Sequence, residues 1–312
     1  MALSSCKLNY PLFLLGCIDK KRRPNLSVTV QSNKNSGSGR APTEYQKSNS
    51  LLKRANTVGI IGGVSVLSTL IFLEKLVWMS SRNGEESIPF VVCSDPSITR
   101  ELSSQSHVSC HSFSSKNAEI ELNADEIIEN LRCKRKFLDQ SGARCIVMPC
   151  HLSHAWYNEI SEGCLLPFFH VGDCVASELR EAELKPLEAG SEVRIGMLAS
   201  SATLTAGFYQ EKLQSQGFEV VLPDKATTDH ILIPAIEALR RRDIEGAQNL
   251  LRVAIQILLM RAANIVILAS DELQGLLPQN DPLQKKCIDP MDALARSIIK
   301  WAKHKAKVQK NI

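Results

Sequence analysis

The chain has 312 residues, 44% hydrophobic, 22% charged and only 5% aromatic, which leaves room for two domains and excludes a disordered or collagen-like protein. Its formal charge of +4 is unevenly placed: residues 1–50 hold eight Lys/Arg against Asp19 and Glu44, leaving 29 basic and 31 acidic groups elsewhere. A nucleic-acid partner needs a basic stripe on a folded face; here the excess belongs to one end, so no nucleic acid is expected.

Residues 1–52 are rich in Ser, Asn and Lys/Arg and have no apolar periodicity. They are expected to form an organelle transit peptide, with a plastid address ahead of a mitochondrial one. The apolar patch Leu8 to Ile18 contains Asn9, Tyr10 and Pro11, is followed by KKRR and lacks a small-residue cleavage site, which argues against a secretory signal. Val58 to Leu73 is a run of sixteen uncharged residues, short of the roughly 20 a membrane span needs. With Gly59, Gly62, Gly63 and Ser65 inside it, the run predicts a strand, a turn and a helix, and no membrane partner.

Further along, short apolar runs alternate with helical patterns. VGII is followed by Val66, Leu70, Leu73 and Val77 at helical spacing, then PFVVC, a helix through Ile127, Leu131 and Leu138, CIVM and LLPFFHV. After a charged helix from Cys174 to Leu184 and the loop KPLEAGSEV, a second series begins. It runs RIGML, a helix around Phe208 to Leu213, FEVVL, a long helix from Ile231 to Arg261, IVIL, KCIDP and a last helix from Met291 to about Lys303. This rhythm predicts βαβ units, and continuously apolar strands predict parallel sheets covered on both faces.

The two series align with each other. Val58–Gly63 falls on Arg194–Ala199, Val91–Asp95 on Val220–Asp224, and Ser141–Cys150 on Arg261–Ser270, so Cys150 and Ser270 end equivalent strands. Ligands in open α/β sheets bind beyond the carboxyl ends of the strands. Two such domains facing one another would set Cys150 and Ser270 on opposite walls of a cleft.

Ten cysteines are spread along the chain without a CxxC pair, and no second Cys/His pair has zinc spacing, so reduced thiols and no metal are expected. IVMPCHLSH places the Cys150 thiol at the end of a buried strand with His151 and His154 just after it. A thiol at a helix N-terminus has a lowered pKa, and either imidazole is a candidate proton partner. Gly63, Thr69, Asp95, Ser200, Ser201 and Thr203 lie at strand ends or in the turns behind them. There they are candidates for holding a small anionic substrate, with helix capping as the alternative for the hydroxyls. Tyr209, a helix aromatic, reads as core from the residues alone. His107, Cys110 and His111 lie in a Ser-rich stretch that reads as a loop, either a lid or a metal-binding segment.

GIIGG, VMPCxxxH, GMLAS followed by Thr and AGFY, and VILASDE together resemble the aspartate/glutamate racemase superfamily, in its plant-type branch, from about Val58 to Trp301. The family's strings run GxxGG, a strand-end Cys-Asn-Thr, a Thr-rich turn before a Tyr, and Gly-Cys-Thr-Glu. Tyr209 falls on that Tyr, so a site role for it is implied only by the resemblance. The resemblance implies two pseudo-symmetric doubly wound α/β domains, with the final helix returning to the first. The expected bounds are 53–172 plus 289–312, and 173–288. It also implies cofactor-independent chemistry, in which one thiolate removes the Cα proton and a second thiol returns one on the opposite face.

This sequence departs from that pattern at both strand ends. The first cysteine is Cys150, followed by His151-Leu152 in place of Asn-Thr; the second is Ser270, followed by Asp271 and Glu272. A serine hydroxyl is a far weaker acid than a thiol and acts as a base only with a neighbour's help. By resemblance, the expected function is racemase-type proton transfer on an aspartate- or glutamate-like substrate, with Cys150 as acid/base, Ser270 opposite and Glu272 at the family's acidic position. The expected partner is a small amino acid or dicarboxylate, and a homodimer is expected by analogy. A single-cysteine decarboxylase and a non-catalytic dicarboxylate- or partner-binding descendant remain open alternatives.

Overall fold

The structure, a computed structural model, describes residues 54–81, 87–95, 117–187 and 190–310. The expected transit peptide and the Ser-rich stretch with His107, Cys110 and His111 lie outside the described residues. The first half runs β1 (Val58–Ile61), α1 (Val66–Ser80), β2 (Phe90–Cys93), α2 (Asn117–Gln140), β3 (Cys145–Val147), α3 (Tyr157–Ser161), β4 (Phe168–Phe169) and α4 (Val171–Glu181). The second runs β5 (Val193–Ala199), α5 (Ser201–Ala206), α6 (Phe208–Gln214), β6 (Phe218–Val221), α7 (Lys225–Thr227), α8 (Ile233–Arg240), α9 (Ile244–Met260), β7 (Ile265–Ala269), β8 (Cys287–Ile288) and α10 (Pro290–Lys310).

Each half forms a four-stranded, wholly parallel sheet, ordered β2-β1-β3-β4 in the first and β6-β5-β7-β8 in the second. The protein is thus an α/β protein whose two sheets share one topology. The register corrects the residue alignment by one place. Val58 pairs with Cys145 and Ile195 with Ile265, so Val58 corresponds to Ile195 and Gly59 to Gly196. A one-residue slip would turn every side chain to the other face of the sheet, and burial agrees with the corrected pairing. Val58, Ile60 and Val147 share an inner cluster with Ile195, Met197 and Ile267.

That inner cluster is filled by α1, α4, α6 and α10 through Phe72, Val175, Leu213, Leu294 and Ile298. The outer faces are covered separately. Ile61, Ile146 and Met148 meet Ile127, Leu131 and Leu138 of α2, while Leu198, Val266 and Leu268 meet Leu251, Ile255 and Leu258 of α9. Both sheets are therefore covered on both faces, as continuously apolar strands require.

Two helices differ from expectation. The helix expected over Ile231 to Arg261 is interrupted: Arg242 has φ 65°, and Asp243 accepts the Gly246 N–H at 2.9 Å to cap α9 anew. The last helix extends to Lys310. The expected boundary at 172/173 falls inside α4, whose Val171, Val175 and Leu179 belong to the inner cluster. A helix buried between two sheets gives no composition break at which a boundary could be read.

Candidate functional site

The strand ends β1, β3 and β7 bring the site together. Beyond β1 the chain must pass very close to two neighbours: a Cβ at Gly62 would lie 2.2 Å from Ser94 Oγ, and one at Gly63 would lie 2.3 Å from Cys150 Cβ. These glycines let the α1 N-terminus approach the thiol. The Ser65 N–H points at Cys150 Sγ at 3.3 Å, and Ser153 Oγ, fully buried, accepts the Val64 N–H at 3.2 Å.

Cys150 is 1% exposed. Burial pushes its thiol up, and the negative charge of Asp271 adds to this; hydrogen bonds from Ser153 and the Ser65 N–H oppose it. The net direction is upward, which corrects the lowered pKa expected from a following helix. That segment is only a 3₁₀ turn, Leu152–Trp156, and the helix end that meets the sulfur belongs to α1. The surroundings of Cys150 thus favour the thiol over the thiolate.

From the second half, Asp271 reaches across. Its Oδ2 accepts hydrogen bonds from the hydroxyls of Ser65 at 2.6 Å and Ser68 at 2.5 Å. Ser65 also caps α1, accepting the Ser68 N–H, and the first turn of α1 has no acidic residue of its own. The anion that complements this helix end therefore comes from a segment more than 200 residues away. Ser270, 3% exposed, donates its hydroxyl proton to Glu272 at 2.5 Å.

The two imidazoles part ways. His151, 4% exposed, has Nδ1 2.9 Å from the Tyr209 hydroxyl and Nε2 2.8 Å from the Gln274 amide, with Asp271 Oδ1 at 3.6 Å. Burial lowers its pKa, while Asp271, Asp289 and Glu272 act in the other direction. His154 turns away. Its Nε2 donates to the Met148 carbonyl at 2.8 Å, and its ring packs among His170, Tyr157 and Phe208. Burial, followed by the neighbouring His170, holds it well below the usual imidazole range.

Of the remaining candidates, Thr69 is 3% exposed with no hydrogen-bond partner for Oγ1, and Asp95 bears on the charge of Lys134. Ser200 caps α5, accepting the Thr203 N–H at 3.3 Å, and its hydroxyl meets that of Thr203 at 3.0 Å; capping accounts for both. Exposed Ser201 follows as the first residue of α5. Tyr209 is both core and site, being fully buried with its hydroxyl on His151.

Sequence reasoning passed over Ser65, Ser68, Ser153, Gln274 and Lys134. Lys134, on α2 and 5% exposed, donates to the Gly62 carbonyl at 2.9 Å and so fixes the turn that brings Gly63 to Cys150; burial lowers its pKa. The signal that could have found Ser65 and Ser68 is their i, i+3 spacing with Thr69 at the start of a helix.

Among the described residues, no group of His, Cys, Asp and Glu could hold a metal ion, no helix is long and apolar enough to cross a membrane, and the seven cysteines are free thiols.

Comparison with known proteins gives the family and the fold. The chain is 25% identical over 185 residues to the broad specificity amino-acid racemase RacX of Bacillus subtilis, covering 56% of this chain and 75% of that one. Its fold is similar to that of the Picrophilus torridus aspartate racemase, with a TM-score of 0.58, 23% identity, and 80% and 94% of the two chains covered. An aspartate racemase homologue from Pyrococcus horikoshii gives a TM-score of 0.58 at 20% identity, over 80% and 99% of the chains. The profile of the family described as Asp/Glu/Hydantoin racemase matches residues 61–298, and the chain belongs to that family.

Proposed function

We propose that the protein is an amino-acid racemase-type enzyme that exchanges the Cα proton of its substrate without a cofactor, with Cys150 as the proton donor. The observation that carries this reading is the Cys150 thiol, buried and neutral at a strand end, held against the α1 N-terminus and faced by the acidic segment Ser270–Glu272 of the other half. In this reading Ser270 Oγ takes the Cα proton while its own proton passes to Glu272, along the hydrogen bond already present. The Cys150 S–H then delivers a proton to the opposite face, leaving a thiolate; Glu272 gives up its proton to water and water reprotonates the thiolate, which restores both groups. General acid–base steps of this kind contribute about 10²–10⁴-fold each.

The test is incubation of the full chain with separate D- and L-amino acids in deuterated water. Deuterium at Cα with inversion is the expected result; no deuterium in any amino acid would overturn the reading. A second reading, decarboxylation with Cys150 protonating the carbanion, is favoured by the same neutral thiol and by serine in the second position. Carbon dioxide release from a substituted malonate would select it.

A further inference from the structure

The contact between Asp271 and α1 goes beyond the acid–base roles above. One carboxylate oxygen takes two hydroxyl donors, Ser65 and Ser68, at the end of a 15-residue helix with no acidic residue in its first turn. Two hydroxyls and a helix N-terminus make a receptor for a carboxylate, and here the chain supplies that carboxylate itself. Thr69 lies at i+4 from Ser65, on the same helical face. It is 97% buried, and its hydroxyl has no partner. A further hydroxyl on that face of the helix is thus left unused by Asp271.

The charges around it are committed. Lys75 is bound by Asp289 at 2.8 Å and Asp292 at 2.5 Å, and Lys134 is bound to the Gly62 carbonyl. Glu272 holds the Ser270 hydroxyl. Asp271 Oδ1 accepts no hydrogen bond; its nearest cationic candidate is His151 Nε2 at 3.6 Å, an imidazole that burial favours as neutral. An incoming second carboxylate meets a like charge and an occupied receptor, whereas an ammonium finds an acceptor.

We propose that Asp271 is a built-in carboxylate ligand that fills the Ser65–Ser68 receptor, so that the site rejects dicarboxylic amino acids and takes those with a neutral or cationic side chain. The inference rests on the racemase-type reading for the location of the site and narrows its substrate class, away from the aspartate- or glutamate-like substrate that resemblance implies.

The experiment is calorimetric binding of glutamate, glutamine and ornithine to the full chain and to Asp271→Asn, with Asp271→Ser as a second variant and circular dichroism as the fold control. Asparagine keeps an oxygen for the two serine hydroxyls but removes the charge. The wild-type protein should bind glutamine or ornithine at least tenfold more tightly than glutamate. In Asp271→Asn, glutamate should gain at least tenfold and ornithine should weaken. Glutamate bound as tightly as glutamine by the wild type, or an order unchanged in both variants, overturns the proposal. If Cα deuterium exchange persists in that case, the racemase-type reading survives its failure. If neither protein binds any of the three amino acids and none exchanges, both readings fall together.

Discussion

The two halves share a sheet and differ in the chemistry at its edge. In each, a central strand is flanked in the same order by parallel neighbours, and Cys150 and Ser270 stand at corresponding positions after β3 and β7. The first half ends in a buried thiol beneath a helix N-terminus; the second ends in Ser270, Asp271 and Glu272, three oxygen-bearing side chains linked by hydrogen bonds to one another or across the interface. The scaffolds match because the strand faces must be apolar for both layers to pack. Strand ends carry no such constraint, so one half presents a thiol and the other two carboxylates and a hydroxyl.

The largest test of this asymmetry is Cys150→Ala. It should lower racemization by about 10²–10⁴-fold while leaving Cα deuterium exchange through Ser270, whereas the equivalent change in the other half, Ser270→Ala, removes the group that takes the Cα proton and should lower the exchange itself. Equal losses of exchange, measured by mass spectrometry of the recovered amino acid, would mean that the halves contribute symmetrically after all.

A second test concerns His170, which belongs to the first half but packs against Phe208 of the second. Burial pushes its pKa down to about 4, with Asp173 opposing and Lys212 adding. The unfolded chain then binds a proton at higher pH than the folded one, so stability is complete above about 6.5 and falls as the pH drops from there to about 4. The loss from this group is about 3 kcal/mol, from 1.36 kcal/mol per pKa unit. Urea denaturation across that range should show the slope, and His170→Asn, which preserves an acceptor for the Gly172 N–H, should flatten it.

Gly63 and Ser200 occupy equivalent positions in the register yet do different work. Gly63→Ala should destabilise by about 1–3 kcal/mol through overpacking, because the new methyl meets Cys150 and Ser153. Ser200→Ala should cost about 1 kcal/mol, the loss of a helix cap. Denaturant midpoints of the two variants would reverse the comparison if the serine proved costlier. On activity, the smaller expected effect is that of Ser270→Cys, which makes the pair symmetrical; racemization should rise about tenfold, and an unchanged rate would separate Ser270 from the substrate.

The sheets were legible because buried parallel strands are written as uninterrupted apolar runs: VGII, CIVM and IVIL each form a core strand. Cys150 was legible because it ends such a run. Ser65 and Ser68 were not, since a serine before a helix is ordinarily its cap, and Ser65 is indeed a cap as well as a donor to Asp271. Nor was Lys134, because nothing local says that the Gly62 carbonyl lies opposite it. The alignment of the halves slipped by one residue for a related reason. Val and Ile repeat so freely along a strand that only backbone pairing with a neighbour fixes the frame. His154, part of the same motif as His151, differs from it through contacts made with the Met148 carbonyl, Tyr157, His170 and Phe208 of α6.

The position of α10 has a consequence for how the chain is made. This helix follows both sheets in sequence but packs against α1 and α4, placing Leu294 and Ile298 in the same cluster as Phe72 and Val175. During synthesis, the first half emerges with that side of its core open and stays so while the whole second half is translated. That side of the core cannot close before α10 has been made, so a chain interrupted at Asp289 would lack the residues that cover Phe72 and Val175 there.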